Sequence, residues 1–235
     1  YPAISRVQHD PGAVGIALTR TIGGGGVLFL PVGCVLALLA EPVVGVVLGP
    51  GWGEAVLPLA MLAPTLVLRQ IILVSDLVAT GMGAVYRSAV RRAYILVATL
   101  LALWIGLRWG LVGASVVAVL NIVAQAILLG GLALSLTGSR WRQLASCLLP
   151  GGRLAGIATA AAALGLVAES EYGLAPLATL LVGGSCAATS LLAAILLRPQ
   201  WLGEGGLWLV ARVSGRVPRH WLLERLRMEA MRTHG

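Results

Sequence analysis

Four polar side chains lie at helical spacing inside the apolar stretch 55–79 and the residue after it. Arg69 and Asp76 are ionisable, and Thr65 and Thr80 carry hydroxyls. At roughly 100° per residue, all four fall within about 60° of one another on a helix and form a narrow polar stripe. An ionisable side chain at mid-bilayer costs on the order of 3 kcal/mol on insertion scales, so it usually faces protein or a water-filled cavity. The stripe therefore indicates a polar pathway beside this helix.

A static arrangement is the alternative for the same residues. Arg69 and Asp76, two turns apart, can pair with each other or extend toward the membrane surface without any transport. Asn121 and Gln125 are one turn apart in a later apolar stretch. They are candidates for lining the same cavity, or for contacts between helices worth about 0.6 kcal/mol each.

Composition identifies the helices that must hold these residues as membrane helices. The chain has 235 residues, of which 58% are hydrophobic and 11% charged, and its mean hydropathy is +0.93, far above that of soluble domains. The net charge is +8 and every cation is an arginine. Because the arginines lie between apolar runs, they favour contact with the membrane surface, and nucleic acid is not expected as a partner.

No metal, cofactor or catalytic chemistry is predicted. The cysteines have no paired spacing and the histidines are dispersed among polar end regions, which disfavours a ligand set. The glycine run 23–26 lacks the following Lys-Ser/Thr of a phosphate loop. An enzyme is therefore disfavoured.

The hydropathy pattern predicts an all-α, polytopic transmembrane helix bundle of about six spans. Residues 1–136 form one bundle, 137–197 add two spans after a polar link at 137–153, and 198–235 form a basic tail with an amphipathic helix on anionic membrane lipids. The predicted spans are 14–40, 55–79, 93–107, 110–136, 154–168 and 174–197.

Local signals refine the first span. Asp10 before Pro11 predicts a helix start, since Asp accepts orphan backbone donors and Pro suits the first helical position. Pro31 should kink the helix. The glycine run 23–26 is interpreted mainly as a surface for close helix packing.

The arginines also predict an orientation. Alternate connections, together with the two ends, hold 15 of the 17 arginines, so the positive-inside rule places both termini in the cytoplasm. An even number of spans requires the two termini to lie on the same side of the membrane. Because the sequence starts on what looks like the end of a helix, we expect it to be a piece of a longer protein.

Several motifs, taken in order, resemble the C-terminal half of bacterial polysaccharide and lipopolysaccharide flippases. These are the Wzx-like members of the multidrug/oligosaccharidyl-lipid/polysaccharide exporter superfamily. Arg69 lies where many members keep an arginine, whereas Gly81-Met82 departs from the usual Gly-Arg. The motifs are residues 1–10 (YPAISRVQHD), Leu48-Gly49 with Trp52 and Ala55, Ala79-Thr80-Gly81, and 109–114 (WGLVGA).

This resemblance implies a lobe of a two-lobed transporter that alternates between inward-open and outward-open states. The implied substrate is an undecaprenyl-pyrophosphate-linked oligosaccharide moved across the bacterial inner membrane, and the missing N-terminal lobe would lie on the same or another chain. Arg69 would contact the anionic headgroup, because Arg suits bidentate phosphate binding. Asp76 would position Arg69 or exchange a proton or cation. Asn121 and Gln125 would form hydrogen bonds to the sugar if their helix faces the same cavity.

Other functions remain open from the sequence. A related drug/cation antiporter would favour an acidic cavity, and a peptidoglycan-precursor flippase would favour several cavity arginines. A membrane-embedded polymerase or ligase would tend to carry a large polar outer loop with arginines and a histidine. The longest outer connection, 41–54, has neither. A non-transporting scaffold held by the basic tail is disfavoured by the polar stripe.

Overall fold

The computed structural model describes residues 10–173, 175–197, 202–203 and 205–207. Of these residues, 94% are helical and none lies in a strand. An apolar chain in lipid has no water to satisfy its backbone polar groups, so helices are the expected solution. The helices are α1 (Pro11–Leu38), α2 (Ala40–Val47), α3 (Val56–Leu62), α4 (Leu66–Gly81), α5 (Val85–Gly106), α6 (Gly110–Thr137), α7 (Trp141–Tyr172) and α8 (Pro176–Leu197).

The predicted polytopic helical bundle is confirmed. Five apolar helical stretches of the described chain are long enough to cross a membrane. The longest, Val85–Thr137, consists of α5 and α6, which fold back on each other at the 3₁₀ turn Leu107–Trp109 and at Gly110, where φ is 66°. At 1.5 Å per residue each of these two helices exceeds about 30 Å, so the described chain contains six membrane-crossing units.

The start of α1 is as the sequence predicts. The Asp10 carboxylate accepts a hydrogen bond from the Ala13 backbone N–H at 3.1 Å, and Pro11 occupies the first helical position. The helix continues through Pro31 as a single element to Leu38.

Several predicted boundaries differ from the structure. The span predicted over 93–107 begins at Val85, because a helix can extend beyond the hydrocarbon and carry arginines there, and the connection predicted over 41–54 contains most of α2. The polar link 137–153 is short, because α7 begins at Trp141 rather than at 154. The span predicted over 55–79 is interrupted by a 3₁₀ turn at Ala63–Thr65, where Pro64 cannot donate a backbone hydrogen bond. The predicted amphipathic helix of the tail lies outside the described residues.

The core of the bundle lies where α1, α4, α6 and α7 meet. Its buried side chains include Leu18 and Ile22 of α1 and Val78 of α4. Glycines let the backbones approach: a Cβ on Gly23 would lie 3.1 Å from the Cys147 carbonyl oxygen, and one on Gly151 would overlap the Gly26 backbone. The glycine run is therefore a packing surface, as its composition indicates.

Candidate functional site: the exposed face of α4

Helix α4 contains three of the predicted site residues, Arg69, Asp76 and Thr80, and has a buried inner face and an exposed outer face. Its inner face is formed by Val67, Ile71, Val74 and Val78, which are buried at helical spacing and face α1 and α6. The outer face contains Arg69, which is exposed, and Leu73, which is 63% exposed. The apolar stripe thus fixes the rotation of the helix and turns Arg69 away from the core.

Arg69 lies near the middle of the membrane-crossing unit formed by α3 and α4. It is twelve residues before the end of α4 at Gly81, a distance of about 18 Å along the helix. Within the part of the chain that the structure describes, Arg69 forms no ion pair or hydrogen bond. A guanidinium without a partner at this depth requires a polar or anionic group beside it, because the hydrocarbon of the bilayer contains no hydrogen-bond acceptor.

Asp76 has a different environment, although it belongs to the same predicted stripe. Its Oδ1 lies 2.6 Å from Nη2 of Arg92 and accepts a hydrogen bond from the Ser88 hydroxyl at 3.0 Å. Asp76 is five residues from the end of α4 at Gly81, so it lies near a helix end rather than at mid-depth. The static Arg69–Asp76 pair considered from the sequence is absent from the described residues, and Asp76 pairs with α5 instead.

The two threonines of the stripe are less exposed than Arg69. Thr65 is buried at 4% exposure, and its hydroxyl donates to the Leu62 carbonyl oxygen at 2.6 Å. Thr80 is half-buried, one residue before the end of α4 at Gly81. The substrate-binding roles of Thr65 and Thr80 stay predictions.

Asn121 and Gln125 lie on the seam between α5 and α6. The Asn121 side-chain oxygen lies 2.8 Å from the Thr99 hydroxyl and accepts a hydrogen bond from Gln125 Nε2 at 3.2 Å. The bond to Thr99 connects α6 to α5. Within the described residues, neither Asn121 nor Gln125 forms a hydrogen bond with Arg69. Their predicted role in sugar binding stays a prediction.

The sequence did not single out Gln70, the neighbour of Arg69. Its amide inserts beside Gly25, where Nε2 donates to the Thr21 carbonyl oxygen at 2.8 Å, while Oε1 is buried without a partner. A Cβ on Gly25 would overlap this amide. The only signal in the sequence is the glycine run that leaves room for it.

The sequence also missed a large cleft at the end of the bundle where α1 begins. Its volume is about 890 Å³, and polar groups of α1 and of the α6–α7 connection line it. The cleft lies away from Arg69, which is not among its lining residues. Its polar and charged lining residues are Asp10, Thr19, Arg20, Thr137, Ser139, Gln143 and Ser146.

A comparison with protein families bears on what this bundle does. Residues 1–57 match the model of a family described as polysaccharide biosynthesis protein. The match covers α1, α2 and the first residues of α3, and therefore includes the glycine packing surface but not Arg69. No match was found among curated proteins or among solved structures. The partial match supports a role in polysaccharide biosynthesis at a membrane.

No metal centre is assembled by the described residues. No group of three or more His, Cys, Asp or Glu side chains is close enough to hold an ion there. Among those residues, the charged groups that the structure brings together are instead Asp76 and Arg92, near the connection between α4 and α5.

Proposed function

We propose that this chain takes part in moving a lipid-linked oligosaccharide, a polysaccharide precursor, across the bacterial inner membrane by alternating access. Two observations support the class of process: the helical membrane bundle and the match of residues 1–57 to a polysaccharide biosynthesis family. The proposal involves no bond making or breaking, so the chain acts as a transporter and not as an enzyme.

The observation that carries the proposal is the exposed guanidinium of Arg69 on a membrane-crossing helix. No residue that the structure describes neutralises this cation, and in this proposal the substrate does so. The pyrophosphate of a lipid-linked sugar supplies two adjacent anionic groups that suit the planar guanidinium. A second lobe, on the same or another chain, would enclose the outer face of α4 and keep this passage wet.

The sign of the uncompensated charge favours an anionic substrate. Asp76 already has Arg92 and Ser88 as partners, whereas Arg69 has none among the described residues. A drug/cation antiporter would need the opposite arrangement, in which a carboxylate is free. A peptidoglycan-precursor flippase uses the same headgroup chemistry as the proposed activity, and comparing the two lipid substrates distinguishes them.

The proposed orientation has both termini in the cytoplasm. A Cβ on Gly15 would lie 2.6 Å from Ser139 Oγ, so the start of α1 and the α6–α7 connection occupy the same end of the bundle. The even number of crossings places both termini on one side, and the arginine-rich connections support the assignment of that side to the cytoplasm.

Complementation tests the proposal. The full-length protein and its Arg69→Ala variant are expressed in a host that lacks its own flippase, and surface polysaccharide and protein level are measured. Wild type should restore polymer, and Arg69→Ala should reduce it more than tenfold at equal protein level. Val97→Ala is the matched control, because Val97 is exposed on α5 but carries no charge. Normal polymer in Arg69→Ala would remove Arg69 from the mechanism.

A further inference from the structure

A groove runs along the outside of the hairpin formed by α5 and α6. Its volume is about 310 Å³, and its lining is predominantly apolar. Both helices line the groove with small side chains: Ala98 and Ala102 belong to α5, and Ala124 belongs to α6. Thr99 and Asn121 are polar side chains of the lining, and they already form a hydrogen bond with each other. The groove is therefore suited to a hydrocarbon chain along most of its length.

Two arginines of α5, Arg87 and Arg91, lie beyond one end of the groove. Arg87, Arg91, Tyr94 and Ala98 recur at intervals of three or four residues, so they share one face of α5. Arg91 donates through Nη1 to the carbonyl oxygen of Leu128, and Leu128 itself lines the groove together with Tyr94. This contact places the Arg91 guanidinium at the mouth of the groove, with Arg87 one turn further toward the start of α5.

The charge at this mouth is not compensated by any residue that the structure describes. Asp76 pairs with Arg92, which lies on a different face of α5 from Arg91, and no other ion pair within the described residues reaches Arg87 or Arg91. Arg87 also lies in the first turn of α5, where the helix dipole adds further positive potential. The mouth therefore attracts an anion.

We propose that this groove is a binding site for an anionic phospholipid. One acyl chain occupies the apolar groove, and the phosphate lies between Arg87 and Arg91, with the exposed Tyr94 at the boundary between headgroup and chain. Basic pockets between membrane helices bind anionic headgroups by this chemistry. The site is separate from the exposed face of α4 and does not depend on the proposed transport. The proposed orientation decides only which leaflet the lipid belongs to, and that leaflet is the cytoplasmic one.

Native mass spectrometry of the purified full-length protein in detergent tests the site. Phosphatidylglycerol and phosphatidylcholine with the same acyl chains are titrated separately against wild type and against Arg87→Gln/Arg91→Gln. Since each arginine near a membrane surface contributes to anionic-lipid binding, we expect the double variant to lose roughly thirtyfold in phosphatidylglycerol affinity and nothing in phosphatidylcholine affinity. Arg140→Gln/Arg142→Gln removes the same charge from exposed positions near the start of α7 and should bind like wild type.

A second variant separates the chain from the headgroup. Ala98→Trp fills the groove without changing charge and should weaken binding of both lipids, and gel filtration verifies that each variant is folded. A photoactivatable phosphatidylglycerol should cross-link to α5 and α6 peptides in the wild type, independently of any variant.

Three results would overturn the proposal. One is equal phosphatidylglycerol affinity in wild type and Arg87→Gln/Arg91→Gln. Another is displacement of the lipid by inorganic phosphate at millimolar concentration, which would mean that the mouth binds free phosphate. The last is efficient disulfide formation between two copies carrying Ala98→Cys, which would show that a second copy of the chain covers the groove.

Discussion

Arg69 and Gln70 are neighbours in the sequence, yet they lie in opposite kinds of environment on α4. Gln70 points into the bundle, where its amide fills the space left by Gly25 and donates to the Thr21 carbonyl oxygen. Arg69 points out, with Leu73 beside it on the exposed face. A polar residue in a membrane helix therefore has two distinct uses. Gln70 connects α4 to α1, whereas Arg69, which has no partner among the described residues, is proposed to bind the substrate headgroup.

The largest effect is expected at the outer face. Arg69→Glu reverses the charge and should reduce polysaccharide export by at least about a hundredfold, because an anionic headgroup is then repelled; two decades correspond to about 2.7 kcal/mol. Arg69→Lys keeps the charge but loses the planar donors, so it should retain partial export. Export and thermal stability are measured on the same preparations, and stability should not change. Equal export in the Glu and Lys variants would contradict an electrostatic role.

Adjacent glycines of α7 test the inner side of the bundle. A Cβ on Gly151 would overlap the Gly26 backbone of α1, whereas one on Gly152 would have nothing within 4 Å. Gly151→Ala should therefore destabilise the protein by about 1–3 kcal/mol through overpacking. Gly152→Ala should be neutral or stabilising by up to about 1 kcal/mol, because Ala favours helix. Thermal unfolding in detergent measures both, and equal shifts would mean that α1 and α7 are not closely packed.

The ion pair near the end of α4 should contribute little. Asp76 and Arg92 side chains are 29% and 51% exposed, so solvent screens their attraction and the coupling should be below about 1 kcal/mol. A double-mutant cycle with Asp76→Asn and Arg92→Gln measures it. Export by Asp76→Asn should remain close to wild type. A loss comparable to that of Arg69→Glu would instead assign Asp76 a part in proton or cation exchange.

The smallest effect is expected for Gln70→Met, which keeps the length of the side chain. The substitution removes one hydrogen bond to Thr21 and also removes the buried Oε1 atom that has no partner. Loss of a typical hydrogen bond costs about 1 kcal/mol, and removal of the unpartnered Oε1 offsets part of that cost, so unfolding should shift by less than about 1 kcal/mol. Strong loss of export without loss of stability would give Gln70 a role like that of Arg69 and remove the contrast between the two faces.

Features that depend on local sequence could be predicted. The start of α1 follows from Asp10 and Pro11, whose backbone and side-chain preferences act within one turn. The membrane-crossing helices follow from hydropathy, because lipid demands long apolar helices. The packing role of the glycine run follows from the lack of side chains, which lets neighbouring backbones approach.

Features that depend on where helices meet could not be predicted. The segment before 154 contains arginines and polar residues and was predicted as a link, but a helix that extends past the hydrocarbon can be polar, and α7 begins at Trp141. The partner of Asp76 is set by the turn between α4 and α5, which brings Arg92 within 2.6 Å. Helical spacing alone placed Asp76 beside Arg69 and gave no sign of this contact.

The accessibility of position 69 to water tests the central claim most directly. Arg69→Cys is prepared in a full-length protein whose native Cys34, Cys147 and Cys186 are replaced by Ala, and intact membranes are treated with a water-soluble, charged thiol reagent. Val97→Cys is the control, since Val97 is 58% exposed on α5 and faces no proposed passage. We predict rapid labelling at 69, slowed by lipid-linked oligosaccharide, and little labelling at 97. Equal and negligible labelling at both positions would show that Arg69 lies in lipid or dry protein, and would contradict a polar passage along α4.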